Sequence, residues 1–122
     1  MKKLSQISRF AIVVGVASML VGCTYNELRF RPTDIDTQRT MADVEVSRKR
    51  GPVTDILGKT NQHGQIDVTG SKLDDQFIFI HPGFRPTVLK LRGDFVSFTT
   101  PDGRTTRLPL LDGDAIPVPM MK

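Results

Sequence analysis

The apolar positions of the chain fall into two regimes: one unbroken run near the start, then a series of short alternations. From Met41 the alternation is sharp, with Ala42, Val44 and Val46 exchanging with Asp43, Glu45 and Ser47. Period two sends successive side chains to opposite faces, so this stretch predicts a strand with one apolar and one wet face. Gly51-Pro52 turns the chain, and residues 54–60 make a weaker strand. Asn61-Gln62-His63-Gly64 then reads as a four-residue hairpin loop, closed by the positive φ that Gly64 accepts. Residues 65–69 alternate again, with Ile66 and Val68 inward, and residues 70–75 are a loop.

Residues 76–81, Gln-Phe-Ile-Phe-Ile-His, are apolar on both faces. That predicts a central strand whose second face is also covered. Pro82-Gly83 ends it: Gly83 permits the reversal, Phe84 caps the core at the sandwich end, and Pro86 holds the start of the next strand. Residues 87–91 follow, with Leu89 and Leu91 on the core side. Residues 95–100 and 105–110 flank Pro101-Asp102-Gly103, where proline pre-sets φ, aspartate bonds back to the backbone and Gly103 takes the left-handed position. About seven strands spaced by about ten residues predict an all-β chain, a small antiparallel β-sandwich.

The flanks read differently. Residues 24–40 are polar, charged and broken by Pro32, as expected of a tether. As a flexible coil they would span about 20–25 Å, although Leu28-Arg29-Phe30 is capable of a short docking strand. At the other end Ile116, Val118 and Met120 alternate with Pro117 and Pro119. Such a segment can lie along a sheet edge but cannot be a central strand. It is also the preferred cover for part of the second face of residues 76–81. The expected organisation is a signal segment (1–22), a modified cysteine and tether (23–40), a sandwich (41–112) and a Pro-rich tail (113–122).

The early run explains the first two of these. Lys2, Lys3 and Arg9 precede residues 10–22, 13 residues without a charge, which are expected to form a signal helix. Leu20-Val21-Gly22-Cys23 closes the run and resembles the lipobox of bacterial lipoprotein signal peptides. The resemblance implies cleavage before Cys23 and lipid on its sulfur, hence a membrane anchor and no other cofactor. Two or more acyl chains hold a protein firmly where one holds it marginally. A plain secretory signal would leave the chain's single cysteine as an unpaired thiol in an oxidising compartment. A membrane-spanning helix would have only the 17 charge-free residues 10–26, ending in polar ones. Thr24 stands where enteric-type bacteria place aspartate to retain a lipoprotein in the inner membrane. Its presence implies the outer membrane, on the periplasmic face of the cell envelope.

Charge changes the picture once. The whole chain carries a net charge of +4, but three of its 17 basic residues leave with the signal, so 14 remain against 13 acidic ones. Both signs are interspersed, so no footprint for nucleic acid remains. Arg48-Lys49-Arg50, the one basic cluster, reads as the solvated end of a strand and its turn.

The order of signals from Met41 to Leu91 resembles the carboxypeptidase regulatory-like (transthyretin-like, or prealbumin-like) β-sandwich family. The carriers are Ala42-Asp43-Val44-Glu45-Val46, then Gly58-Lys59-Thr60-Asn61 with Gly64-Gln65-Ile66-Asp67-Val68, then Phe79-Ile80-His81-Pro82-Gly83-Phe84-Arg85-Pro86. The family usually opens with a further strand and a G-x-P turn. Neither is evident here, so that strand is missing or comes from the tether or a partner. The resemblance implies a non-catalytic module that scaffolds, packs on another domain, or binds proteins and sometimes glycans.

Chemistry is sparse. The chain has no G-x-S-x-G, no metal-type histidine pairing and no glycine-rich phosphate loop. His63 in a loop tip and His81 before a proline could meet Asp67 at a metal, but histidines so placed are usually solvated. Transthyretin-like folds include a hydrolase of 5-hydroxyisourate that ends in Tyr-Arg-Gly-Ser; this chain ends Pro-Met-Met-Lys, and no enzyme is expected. The leading expectation is an envelope lipoprotein that binds another envelope protein. A glycan- or peptidoglycan-binding module is the second, opposed by the lack of tryptophan and by Tyr25 being the sole tyrosine. A secretion-system outer-membrane lipoprotein of transthyretin-like fold is the third.

Overall fold

The run at residues 76–81 forms an interior strand, and the sheet built around it organises the molecule. A computed structural model describes Tyr25, residues 27–110 and residues 114–122. The signal segment with its expected helix, the lipobox Leu20-Val21-Gly22 and Cys23 lie outside the described residues. Nine strands occur among those described: β1 (Leu28–Asp34), β2 (Glu45–Arg50), β3 (Val53–Lys59), β4 (Ile66–Val68), β5 (Gln76–Ile80), β6 (Thr87–Leu91), β7 (Phe95–Thr99), β8 (Thr105–Pro109) and β9 (Ala115–Met120). They form a six-stranded sheet in the order β3-β2-β5-β6-β7-β8 and a three-stranded sheet in the order β9-β1-β4. The large sheet is antiparallel throughout, and β1 and β9 run parallel. The chain is therefore all-β, as expected, in two facing sheets.

The two strands beyond the seven expected come from the flanks. Within the stretch expected to be a tether, β1 is the middle strand of the small sheet, and its Phe30, Pro32 and Asp34 are buried while Arg29 and Arg31 are exposed. The alternation is real but carries only two strongly apolar side chains, Leu28 and Phe30, among charged and polar neighbours, so the segment reads as polar. Tertiary packing overrides that reading: the Phe30 ring meets Phe77 at 4.9 Å and Phe79 edge-on at 5.4 Å. Pro32 is tolerated in a middle strand because β4 pairs only with Leu28, Arg29 and Phe30 and has ended before it.

The tail lies along an edge of the small sheet, and Ile116, Val118 and Met120 are buried. Met120 O accepts from Ile35 N, on the β1 side, while Pro119 O accepts from Thr87 Oγ1. The prolines thus occupy the positions whose missing N–H would have pointed away from β1. Expectation and structure part over which face the tail covers. Ile116, Val118 and Met120 join Phe30, Phe77, Phe79, Leu89 and Phe98 in one core between the sheets. The other face of β5 has no cover among the described residues: Ile78 is part-exposed and Ile80 is 42% exposed. Among the described residues no third layer lies over the run 76–81.

The loop at residues 61–64 also differs from its reading. Asn61 N donates to Gln65 O and Gly64 N to Asn61 O, so the chain does reverse there. Yet the strands it joins lie in different sheets, so the loop is a crossover and not a hairpin. Turn chemistry reports a reversal, but where Ile66 and Val68 find apolar partners decides the pairing, and those partners are Phe30 and Leu28.

Candidate functional site

Antiparallel register lines up side chains across the outer face of the large sheet. One row runs Ile56, Ser47, Ile78, Val88, Thr99, Thr105 over β3, β2, β5, β6, β7 and β8. Directly opposed residues in adjacent strands share a face, so Ile56, Ile78 and Val88 form an apolar stripe, with Ile80 one pleat further on. Ile56 is 69% exposed. Beside it runs a second row, Thr54, Lys49, Gln76, Lys90, Ser97, Arg107. Its three cations stand two strands apart, about 10 Å. Among the described residues none of the three has a carboxylate within ion-pair distance. Arg107 instead sits 5.1 Å over the ring of Phe95.

The basic cluster is therefore split by the pleat. Lys49 faces outward, while Arg48 and Arg50 belong to the alternate positions and reach the loop before β5. Arg48 donates to Thr69 O at 3.0 Å. Arg50 donates to Gly70 O and grips Asp75 with two bonds, of 2.8 and 2.6 Å. The three residues do end a strand at its turn, with Lys49 and Arg50 exposed and Arg48 half-buried, and the two arginines in addition bind a loop distant in sequence. Burial works to raise the Asp75 carboxyl, but the Arg50 hydrogen bonds and the Lys72 amide outweigh it and hold it below the ordinary carboxylate range.

A cleft of about 440 Å³ opens on the other side of the large sheet. Its walls are Phe98 and Leu108 of β7 and β8, Pro117 and Pro119 of β9, and Ile35 and Met121. It opens beside β9, the edge of the small sheet, whose prolines have no N–H to offer a fourth strand. Its size suits a small apolar group.

The turn residues read from the sequence sit apart from both surfaces. Gly64 has φ +76°, and a Cβ there would stand 2.6 Å from Thr40 Cβ and 2.9 Å from Met41 N. Gly83 and Gly103 also have positive φ, but open space surrounds them. Phe84 packs against the core, meets His81 edge-on at 5.5 Å and carries Lys122 over its ring. Pro82 and Pro86 are exposed. His81 Nδ1 lies 2.9 Å from Pro82 O, and His63 is at the exposed tip of its loop. Among the described residues no group of three His, Cys, Asp or Glu side chains comes together as a metal site. Nor is any helix among them long and apolar enough to cross a membrane.

Tyr25 is the residue whose role the sequence did not indicate. Its amide donates to Ser71 O at 3.0 Å, and its hydroxyl donates to Gly93 O and accepts from Gly93 N, each at 3.0 Å. No spacing signal links positions 25, 71 and 93, because only the docking of β1 brings them together. No family model, curated protein or solved structure matches the chain.

Proposed function

We propose that the chain is a lipid-anchored protein of the bacterial cell envelope: a non-catalytic, transthyretin-like β-sandwich module that binds another envelope protein. The lipobox-like run ending at Cys23 supports the anchor, and Thr24 supports the outer membrane. The observation that carries the binding role is the outer face of the large sheet. An apolar stripe of Ile56, Ile78, Ile80 and Val88 lies beside Lys49, Lys90 and Arg107, none of which has a carboxylate within ion-pair distance among the described residues. The complementary partner surface has an apolar centre flanked by carboxylates. Docked charges of this kind speed encounter and set register, and the apolar stripe supplies the affinity. A glycan would need an aromatic platform, and the phenol of Tyr25 is already bonded to Gly93.

The test is a photo-crosslinking residue placed in cells at Ile78 and, as a control, at Arg31 on the outer side of the small sheet. A discrete product from position 78 alone, lost when Lys49 and Lys90 are both changed to glutamate, is the expected result. Equal products from both positions, or a product indifferent to the charge reversal, would remove this surface as the site.

A further inference from the structure

The bonds of Tyr25 decide which way the folded domain faces its membrane. We infer that the end of the sandwich built from the 50–53 turn, the 69–75 loop and the 92–94 turn rests directly on the bilayer surface. This inference rests on the lipid-anchor reading above.

The argument starts from covalent geometry. Tyr25 is held to Ser71 and Gly93, both at this end. From Cys23 to Tyr25 is two residues, which span at most about 7 Å when fully extended. The reach expected of a flexible tether, about 20–25 Å, therefore does not exist. An acylated Cys23 would hold this end at the headgroups, with no room for a second protein between.

The composition of the end agrees. Among the described residues five large apolar side chains are exposed: Ile35, Val53, Ile56, Leu73 and Ile80. Ile56 and Ile80 belong to the outer face described above, and Ile35 lines the cleft at the far end. The remaining two, Val53 (55% exposed) and Leu73 (43%), both lie at the Tyr25 end. Around them Arg50 and Arg92 are paired with Asp75 and Asp74. Lys49 and Lys72 have no carboxylate within ion-pair distance among the described residues, and the exposed Asp94 of the 92–94 turn sets one opposite charge against them. Two apolar tips beside the flexible stems of Lys49 and Lys72 suit a headgroup layer, which receives apolar groups at its depth. The opposite end, with the 100–104 turn, then points away from the membrane.

The experiment uses the acylated protein purified from its membrane and reconstituted in vesicles of phosphatidylethanolamine and phosphatidylglycerol. Cys23 is the only native cysteine, so Leu73→Cys, Val53→Cys and Asp102→Cys each offer one thiol for a fluorophore when lipid occupies Cys23. Lipids carrying a quencher in the acyl chain are expected to quench the label at 73 and 53 several-fold more than at 102. Inserting ten glycine and serine residues between Cys23 and Tyr25 should erase that difference. Mass spectrometry of the N-terminal peptide reports acylation in the same samples. Acylation with equal quenching at all three positions would overturn the orientation while leaving the anchor standing, and would give this end to a protein partner. Absence of acylation would overturn both.

Discussion

The two faces of the large sheet are made by the same strands and have opposite fates. Inward, Phe77, Phe79, Leu89, Leu91, Val96 and Phe98 are buried to within one per cent of completely. Outward, one residue along each strand, Ile78 and Val88 are part-exposed, while Lys90, Ser97 and Arg107 are polar or charged. Period two supplies both faces at once, and nothing within β5 says which will be covered. What decides is where β1, β4 and β9 dock, and Phe30 draws them to the side carrying Phe77 and Phe79. The apolar residues left outside are then surface that a partner can use at little cost to the fold.

The harshest way to break this contrast is to remove the cover. Deleting residues 115–122 takes Ile116, Val118 and Met120 from the inner face, each contributing roughly 1.5–3 kcal/mol. Against a total stability of about 5–15 kcal/mol, the truncated chain should lose cooperative unfolding in urea and bind ANS strongly. A truncated chain that melts like the parent would mean that β9 adds nothing to the inner face.

Single side chains sharpen it. Phe79→Ala should cost about 3–5 kcal/mol in chemical denaturation. Ile78→Ala, its neighbour on the outer face, should cost about 1 kcal/mol or less, because little area leaves water there. Comparable losses at 78 and 79 would show the outer face to be covered after all.

The glycines of two turns come next, one within the large sheet and one between the sheets. Gly83→Ala meets only the left-handed backbone, a loss of about 1–2 kcal/mol. Gly64→Ala meets that and the crowding against Thr40 and Met41, for roughly 1–3 kcal/mol more. Thermal melts that rank Gly83→Ala as the worse variant would refute the seating of this crossover against Thr40.

The smallest effect is at the Arg50–Asp75 clasp. The folded Asp75 carboxyl sits below the ordinary carboxylate value, so its contribution is complete above about pH 4 and is lost as pH falls through the lower folded value. Asp75→Asn should flatten that acid limb of stability while leaving the neutral-pH unfolding slope unchanged. An unaltered acid limb would show that Asp75 is not the group responsible.

Sequence and structure divided the work along physical lines. Local alternation determined the strands around Val46, Ile66 and Val68, Leu89 and Leu91, because side-chain period and turn chemistry act within a few residues, although the first of these starts only at Glu45, after a bend at Ala42 and Asp43. The edge position of the tail was legible too, since proline cannot donate to a ladder whatever surrounds it. The two-sided apolar character of residues 76–81 and its central place were equally plain. The sequence could not tell which face of that strand stays open. Nor could it show that a polar segment with one phenylalanine forms the middle of a sheet, or that the Asn61–Gly64 turn crosses between sheets. Tyr25 closing on Ser71 and Gly93 was hidden as well. Each of these depends on contacts between residues tens of positions apart, and such contacts exist only after the sheets have met.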